Sequence, residues 1–450
     1  MKAVSWGYFA ALLVCGSALA APFEFKVEND KPDLEYRCGE TARFTVTVYG
    51  TNGTVATSGK INWTLDNFGP KTIATGCADL AKGNPFMVSG TMDEPGFLRL
   101  HAPNPSHPNK HKRTFVWSVG FETSRIRPGA TRPADFDSYW ADERARLATE
   151  VPFDLRIAVD ERHPSKICDT YRLSAATFNG KRVYGFLSVP KVKGKWPVRV
   201  TVPGAGPGVI AARTESNAIV LMMNAHPFEP AANAAAQKKC LSAENAKWKK
   251  AYGIDNFYVA SIGGINRGRD DYFFHDMMLG MARIVDWAVS RPDADPREVT
   301  YSGGSQGGGF GLYLTYLCRD RFTRAYYLVP ALCDHLGHRL RRLSGWPRYL
   351  NSGMAPRVAV EANAPYYDGC CFAAGITCPV RVYVGLGDNT CPPASVYAMF
   401  NSLKTADKKI VRGFGVGHVR TPAVVKMLDA WERGGADIAI SDWTDPLKFR

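Results

Sequence analysis

A serine stands among glycines in the run Tyr301-Ser302-Gly303-Gly304-Ser305-Gln306-Gly307-Gly308-Gly309. Gly303 and Gly307 flank Ser305 in a G-x-S-x-G pattern, which is typical of a sharp turn between a strand and a helix that keeps the serine hydroxyl exposed. A short apolar strand, Val299 to Tyr301, comes directly before this turn. The run therefore predicts a nucleophile elbow at Ser305, with an ordinary glycine-rich loop as the alternative.

The flanking sequence predicts a β-α-β unit around this elbow. Residues His275 to Ser290 carry apolar side chains at the spacing of a one-sided helix, and Pro292 ends that helix. After the elbow, Phe310 to Leu317 is apolar enough for a buried helix. This alternation of strands and helices indicates an α/β fold with a mostly parallel sheet and flanking helices.

A serine hydroxyl needs an imidazole base to attack a carbonyl, and the imidazole needs a carboxylate to fix its tautomer. Of the nine histidines, only His418 lies near the C-terminus, in a glycine-rich loop. Asp388 directly follows a buried-strand run, Pro379 to Val384, so we predict it as the acid. The sequence order Ser305, Asp388, His418 is that of α/β-hydrolases. The alternative for Asp388 is a turn residue, and the competing aspartates are Asp320, Asp334, Asp368 and Asp407.

The oxyanion of the tetrahedral intermediate needs two preorganised N–H donors. The residue after the nucleophile, Gln306, supplies one of them in this fold. A second strand, Val198 to Val202, runs into a glycine-rich loop, where we predict the Ala205 N–H as the second donor and the Gly204 N–H as its alternative. The same loop could be a simple turn.

From about Pro133 onward the chain resembles the acetyl xylan esterase and cephalosporin-C deacetylase family, carbohydrate esterase family seven. The resemblance rests on the motifs Phe136-Asp137-Ser138-Tyr139-Trp140, Arg267-Gly268, Gly303-Gly304-Ser305-Gln306-Gly307-Gly308, Tyr367-Asp368, Cys378-Pro379-Val380, Gly385-Leu386-Gly387-Asp388, Cys391-Pro392-Pro393 and Gly417-His418. It implies an α/β-hydrolase fold, with Ser305, Asp388 and His418 at the positions of the family's catalytic serine, aspartate and histidine. It also implies removal of acetyl groups from short xylo-oligosaccharides and small acetylated alcohols.

Two features depart from that family. Single-domain members usually carry a tyrosine after the glycine of the oxyanion loop, where this chain has Ala205, so a bulky wall beside the acyl site is removed. The segment from Ala211 to Tyr258 also looks altered and contains a helical run, Ala231 to Lys250. We interpret Arg267 and Asp276 as a structural charge pair that braces the helix before the elbow.

The sequence before Pro133 has a different character. Residues 1–20 are typical of a cleaved secretory signal, and a lipoprotein anchor at Cys15 is the less favoured alternative because Val14 is large. Residues 21–124 alternate as half-buried strands do, which predicts an immunoglobulin-like β-sandwich. A linker at 125–134 then leads to the hydrolase domain at 135–450. We expect Trp63 and Trp117 to belong to the core of a spacer domain, with glycan binding as the alternative.

Composition limits the remaining possibilities. The 450 residues are 45% hydrophobic and 22% charged, which is typical of a globular chain large enough for two cores, and their formal net charge is +14. No nucleic-acid-binding motif accompanies the positive charge. Of the eleven cysteines, Cys15 lies in the signal, and the others predict disulfides, with Cys38 and Cys77 as a possible pair. No metal-spaced cluster is evident, so we predict no metal, and the predicted chemistry needs no cofactor. Beyond the signal, no apolar run approaches the length needed to span a bilayer, so we predict no transmembrane span.

Together these observations predict a secreted or periplasmic serine esterase that removes acetyl groups from acetylated xylan, xylo-oligosaccharides or other acetylated glycans. A monomer and a homo-oligomer both stay open. Two alternatives stay open at this point. One is a serine exopeptidase of the same superfamily, and the other is a catalytically inert glycan-binding protein.

Overall fold

The computed structural model describes residues 23–108, 113–252, 263–352 and 357–435. The predicted signal at residues 1–20, including Cys15, lies outside these ranges. In the described ranges, no helix combines the length and the apolar character needed to cross a membrane.

Two small sheets form the N-terminal part of the chain. The first has the order β1-β3-β6, from β1 (Glu24–Asn29), β3 (Ala42–Tyr49) and β6 (Phe86–Gly90). The second has the order β2-β8-β7-β4-β5, from β2 (Glu35–Tyr36), β8 (Thr114–Phe121), β7 (Gly96–Pro103), β4 (Lys60–Asp66) and β5 (Thr72–Asp79). Every pairing is antiparallel except that of β2 with β8.

The two sheets pack face to face, as the predicted β-sandwich requires. Phe25 of β1 stacks on Phe115 of β8 with ring centroids 4.5 Å apart. A side chain on Gly90 of β6 would overlap Leu65 of β4, so the sheets approach closely at that point. Trp117 is buried and donates its indole N–H to Asn29 at 2.9 Å. It therefore belongs to the core of this part of the protein.

The larger sheet has nine strands in the order β17-β16-β15-β14-β12-β13-β11-β10-β9. These strands are β9 (Arg156–Val159), β10 (Cys168–Ala176), β11 (Arg182–Pro190), β12 (Trp196–Val202), β13 (Ile219–Asn224), β14 (Ala294–Gly304), β15 (Arg324–Leu328), β16 (Val380–Gly385) and β17 (Lys408–Gly413). The six strands from β17 to β13 run parallel, and β11, β10 and β9 continue the sheet in antiparallel pairs. The ends of β12, β14 and β16 consequently meet at one edge of the sheet.

Helices cover both faces of this sheet. They are α1 (Phe136–Glu150), α2 (Ala234–Tyr252), α3 (Phe273–Val289), α4 (Gln306–Leu317), α5 (Arg357–Asn363), α6 (Gly369–Ala373), α7 (Pro393–Ser402) and α8 (Pro422–Glu432). The predicted helices at 275–290, 310–317 and 231–250 correspond to α3, α4 and α2. The α/β-hydrolase architecture with a preceding β-sandwich is therefore confirmed.

Helix α4 lies close to the sheet because the helix residues that face the strands are glycines. A side chain on Gly307 would overlap the Val202 carbonyl oxygen of β12, and one on Gly311 would overlap the Tyr301 ring of β14. This close packing brings the N-terminus of α4 next to the end of β12, where the loop predicted to supply an oxyanion donor begins.

A buried ion network joins α1 to α3. His275 Nε2 lies 2.9 Å from Glu143 and its Nδ1 lies 3.0 Å from Asp276, while Asp276 also pairs with Lys181 at 2.6 Å. Burial alone would lower the pKa of His275, but the hydrogen bonds to the two carboxylates outweigh burial and raise it. The charged partner that braces α3 through Asp276 is thus Lys181, where the sequence suggested Arg267.

The disulfide prediction is wrong for this structure. All ten cysteines between Cys38 and Cys391 are free thiols, including the suggested pair Cys38 and Cys77. Cys77 lies exposed on β5, whereas Cys38 is half-buried in the segment before β3. An even number of cysteines does not by itself place them in bonding pairs, and none of these ten thiols is bonded to another.

Candidate active site

Ser305 occupies the turn between β14 and α4. Its backbone has φ 57° and ψ −124°, a strained conformation of the kind that exposes a nucleophile. Three hydrogen bonds hold this conformation: the Ser305 N–H donates to the Leu328 carbonyl at 2.9 Å, and the Ser305 carbonyl accepts from Gly309 at 3.1 Å and Ala331 at 3.0 Å. The hydroxyl is therefore fixed above the sheet edge by its own backbone.

The two partners predicted for Ser305 lie next to it. His418 Nε2 is 2.9 Å from Ser305 Oγ, and His418 Nδ1 is 2.7 Å from Asp388 Oδ2. The Asp388 side chain is fully buried, whereas 28% of the His418 side chain is exposed. The structure thus brings together three residues that lie up to 113 positions apart in the sequence.

The second oxygen of Asp388 fixes the orientation of its carboxylate. Oδ1 accepts hydrogen bonds from the backbone N–H groups of Thr390 at 2.7 Å and Cys391 at 2.9 Å. Because a carboxylate only accepts, Oδ2 requires a proton on His418 Nδ1. His418 Nε2 is then the atom free to accept the Ser305 hydroxyl proton. The backbone donors of Thr390 and Cys391 were not predicted, although an aspartate two or three residues before them is a common turn arrangement.

The competing aspartates lie elsewhere. Asp334 pairs with Arg342 at 2.8 Å, Asp368 accepts from the Asp334 N–H at 2.8 Å, and Asp407 pairs with Arg381 at 2.7 Å. Asp320 is exposed after the end of α4. Among the described residues, none of the hydrogen bonds or ion pairs of these four aspartates involves Ser305 or His418.

The loop after β12 lies against the elbow. A side chain on Gly204 would stand 3.4 Å from the Gly304 carbonyl oxygen and 3.7 Å from Ser305 Cβ. Ala205, the next residue, is half-buried, and Gln306 is buried at the start of α4. The backbone N–H groups predicted for the oxyanion hole therefore come from two chain segments that meet at Ser305.

Two side chains that the sequence analysis missed support this loop. His226 Nε2 lies 2.6 Å from the Gly206 carbonyl oxygen, and Gln237 donates from Nε2 to the Pro207 carbonyl at 2.7 Å. Burial lowers the pKa of His226, and its hydrogen bond to Gly206 offsets only part of that effect. A neutral His226 that donates from Nε2 fits this geometry. Its place directly after the apolar strand β13 was the available signal.

Two residues of the predicted triad, together with a neighbouring cysteine, form a group with the composition of a metal site. Asp388, Cys391 and His418 have ligand atoms within 4.8 Å of one another. Two of the three already hydrogen-bond to each other. Burial raises the pKa of the Cys391 thiol well above its usual value, so this sulfur is a neutral thiol and a poor metal ligand. The residues present fit a hydrogen-bonded triad better than a metal centre.

Comparisons with known proteins identify the family of this chain. A family model described as acetyl xylan esterase matches residues 122–426. The chain is 30% identical over 422 residues to acetyl esterase Axe7A of Xylanibacter ruminicola, covering 89% of this chain and 90% of that protein.

Solved structures of two acetyl xylan esterases share the fold. The enzyme from Paenibacillus sp. R4 aligns with a TM-score of 0.57 at 21% identity, over 70% of this chain and 99% of its own. Acetyl xylan esterase 1 from Thermoanaerobacterium sp. JW/SL YS485 aligns with a TM-score of 0.56 at 19% identity, over 69% of this chain and 96% of its own. The predicted resemblance is confirmed: this chain belongs to the acetyl xylan esterase family and is a carboxylic-ester hydrolase.

Proposed function

We propose that the protein removes acetyl groups from acetylated xylan, xylo-oligosaccharides or related acetylated glycans through a Ser-His-Asp acyl-enzyme mechanism. The observation that carries this proposal is the continuous hydrogen-bonded chain from Asp388 through His418 to Ser305, with distances of 2.7 and 2.9 Å. The names of its relatives support an acetylated sugar as the substrate.

In the first half of the reaction, His418 Nε2 takes the Ser305 hydroxyl proton while Ser305 Oγ forms a bond to the acetyl carbon. The carbonyl electron pair moves onto oxygen, and the resulting oxyanion accepts hydrogen bonds from the Gln306 N–H and the Ala205 N–H, with Gly204 as the alternative donor. When the intermediate collapses, the bond to the sugar oxygen breaks and that oxygen takes the proton from His418. An acetylated Ser305 remains.

Water completes the cycle. His418 takes one proton from a water molecule whose oxygen bonds to the acetyl carbon, and the second tetrahedral intermediate breaks its bond to Ser305 Oγ. Ser305 recovers its proton from His418, and acetate leaves. Asp388 stabilises the imidazolium in both halves without taking the proton itself. The steps use side chains, backbone N–H groups and water, and require no cofactor.

We further propose that the protein acts after export, with the signal removed near Ala20. The apolar core of residues 1–20 and the small residues before the predicted cleavage site support this. N-terminal sequencing of the protein recovered from a secreting host would test it: a first residue at or near Ala21 is expected, and a retained Met1 would contradict export by this route.

Acetate release from acetylated xylo-oligosaccharides tests the esterase proposal. The wild type is compared with Ser305→Ala and with Ser302→Ala, a control on the same strand whose side chain faces Tyr326 instead of the triad. We expect acetate release by the wild type and the control, and a loss of at least about 10⁴-fold in Ser305→Ala. Equal activity of Ser305→Ala would refute the mechanism. An aminoacyl nitroanilide in parallel tests the exopeptidase alternative, and cleavage of that substrate alone would contradict the esterase proposal.

A further inference from the structure

The β-sandwich lies directly against the loops that carry Asp388 and His418. On β8, Val116 lies 3.1 Å from the position that a side chain on Gly387 would take. The ring of Trp117 lies 3.0 Å from the corresponding position on Gly415. Gly387 immediately precedes Asp388, and Gly415 lies in the loop that ends at His418. The same strand therefore packs closely against the acid loop and the base loop, at points where an added side chain would be crowded.

Polar contacts reinforce this packing at the acid loop. The buried Ser118 donates its hydroxyl to the Leu386 carbonyl oxygen at 2.5 Å. Arg99 of β7 donates from Nη1 to the side-chain oxygen of Asn389. Leu386 and Asn389 lie on either side of Asp388, so two residues of the β-sandwich bind the acid loop before and after its carboxylate.

Arg99 is itself held rigidly. Its Nε and Nη2 donate to the two oxygens of Asp66 at 2.8 and 2.6 Å, and its guanidinium lies 4.4 Å from the centroid of the Phe68 ring. Only 14% of the Arg99 side chain is exposed. Burial would raise the pKa of Asp66, but its hydrogen bonds to His101 and Arg99 lower that pKa to about 2. Asp66 is therefore charged at neutral pH. Its ion pair with Nε and Nη2 of Arg99 keeps the remaining nitrogen, Nη1, directed at Asn389.

The acid loop and the base loop are also bound to each other. The Gly387 N–H donates to the Val416 carbonyl at 2.8 Å, and the Leu386 N–H donates to the Gly413 carbonyl at 2.9 Å. A displacement of the acid loop would consequently be transmitted to His418. Small errors in the position of a catalytic group can slow a reaction by up to about 10²-fold.

We propose that the N-terminal β-sandwich is part of the catalytic apparatus, with Arg99 and Ser118 as positioning residues that hold Asp388 in line with His418. This inference rests on the proposed function, because it assigns Asp388 and His418 their roles in ester hydrolysis. Neither positioning residue contacts Ser305 in the structure, so their loss should lower kcat and leave KM nearly unchanged.

The alternative is that these contacts only join two parts of the chain. Asn401 offers a matched control, because its Nδ2 donates to the Thr123 carbonyl at 2.9 Å and the Ile126 carbonyl at 2.8 Å, away from both loops. Asn401→Ala breaks a comparable connection without touching the triad. Whatever the change in its melting temperature, its kcat should stay within about 2-fold of the wild type.

The test is a double-mutant cycle in the full chain with p-nitrophenyl acetate, using Arg99→Met, Asn389→Ala, both together, and Ser118→Ala. Serine-dependent activity of the wild type is established first with Ser305→Ala, and its absence would contradict the proposed function itself. We expect each single variant to lower kcat about 10-fold with KM within about 2-fold. Arg99→Met and Asn389→Ala remove the same contact, so the double variant should be no slower than the slower single one.

Three results would overturn the positioning role. One is a lower melting temperature in Arg99→Met with kcat unchanged, and another is a loss of kcat in Asn401→Ala as large as that in Arg99→Met. The third is multiplication of the two single effects in the double variant. Asn389 is exposed, so Asn389→Ala should fold even if loss of Arg99 leaves Asp66 buried without its partner.

Discussion

Replacing Asp388 by asparagine should inactivate the protein while leaving its structure intact. The single amide oxygen can accept hydrogen bonds either from the two backbone N–H groups or from His418, but not from both. In the wild type, one oxygen of Asp388 accepts from two backbone N–H groups and the other accepts from His418 Nδ1. An asparagine has one oxygen and one NH₂ group of nearly the same size. If its oxygen keeps the two backbone donors, its NH₂ points at His418 Nδ1 and favours the tautomer with the proton on Nε2.

That tautomer blocks the chemistry, since a protonated Nε2 has no lone pair to accept the Ser305 hydroxyl proton. The opposite rotamer restores the contact to Nδ1 but sets the NH₂ group against the two N–H donors of Thr390 and Cys391, which leaves three donors without acceptors in a buried position. The first rotamer should therefore dominate. In enzymes with a Ser-His-Asp triad, this change of tautomer lowers kcat by about 10⁴-fold, which corresponds to about 5.5 kcal/mol in the barrier.

The assay is steady-state hydrolysis of p-nitrophenyl acetate at pH 7.5, with circular dichroism and a melting curve for each variant. Asp388→Asn should lose about 10⁴-fold in kcat with KM within a few-fold of the wild type. Asp407→Asn is the matched control, because it removes a carboxylate that pairs with Arg381 outside the site and should keep kcat. More than one tenth of wild-type kcat in a folded Asp388→Asn variant would refute the tautomer argument.

Three further predictions test the surrounding structure. Ala205→Tyr should restore a wall beside the acyl group and lower kcat/KM for p-nitrophenyl butyrate more than for the acetate, and an unchanged butyrate-to-acetate ratio would contradict this. The pKa of His275 is raised in the fold, so its stabilising contribution is complete below about pH 6.5 and is lost as pH rises through the folded-state value. The melting temperature should fall from pH 6 to pH 9, and His275→Gln should flatten that fall. Because Cys77 is exposed, Ellman's reagent should modify one thiol rapidly in the native protein, Cys77→Ser should abolish that phase, and a titre of no free thiol after unfolding would restore the disulfide prediction.

The parts of the site that depend on local chain geometry could be predicted from the sequence. A serine between glycines after an apolar strand has few structural interpretations, and β14 does end at Gly304, directly before Ser305. Asp388 and His418 follow from the order of residues along the chain and from their places after a strand and in a glycine-rich loop. Strand ends were predicted less well, since β14 begins at Ala294, several residues before the predicted Val299.

Contacts between distant segments could not be predicted in this way. Arg99 and Asn389 are 290 positions apart, and Ser118 and Leu386 are 268 apart, so no local pattern signals either pair. The same limit explains why Arg267 was predicted as the partner of Asp276, whereas Lys181, in the turn before β11, forms that ion pair. It also explains why the disulfide prediction was wrong: the number of cysteines can be counted in the sequence, but the distances between them depend on the fold.

The dependence of the two triad loops on the β-sandwich has a consequence for the order in which the protein matures. The strand that packs against both loops is made early, whereas β17 and the loop that carries His418 lie near the other end of the chain. Contacts of such long sequence separation form slowly, because a large loop must close before they can contribute. During refolding, recovery of hydrolysis should therefore lag behind recovery of secondary structure. The nascent chain should stay inactive until β8 is in contact with the loop that carries His418.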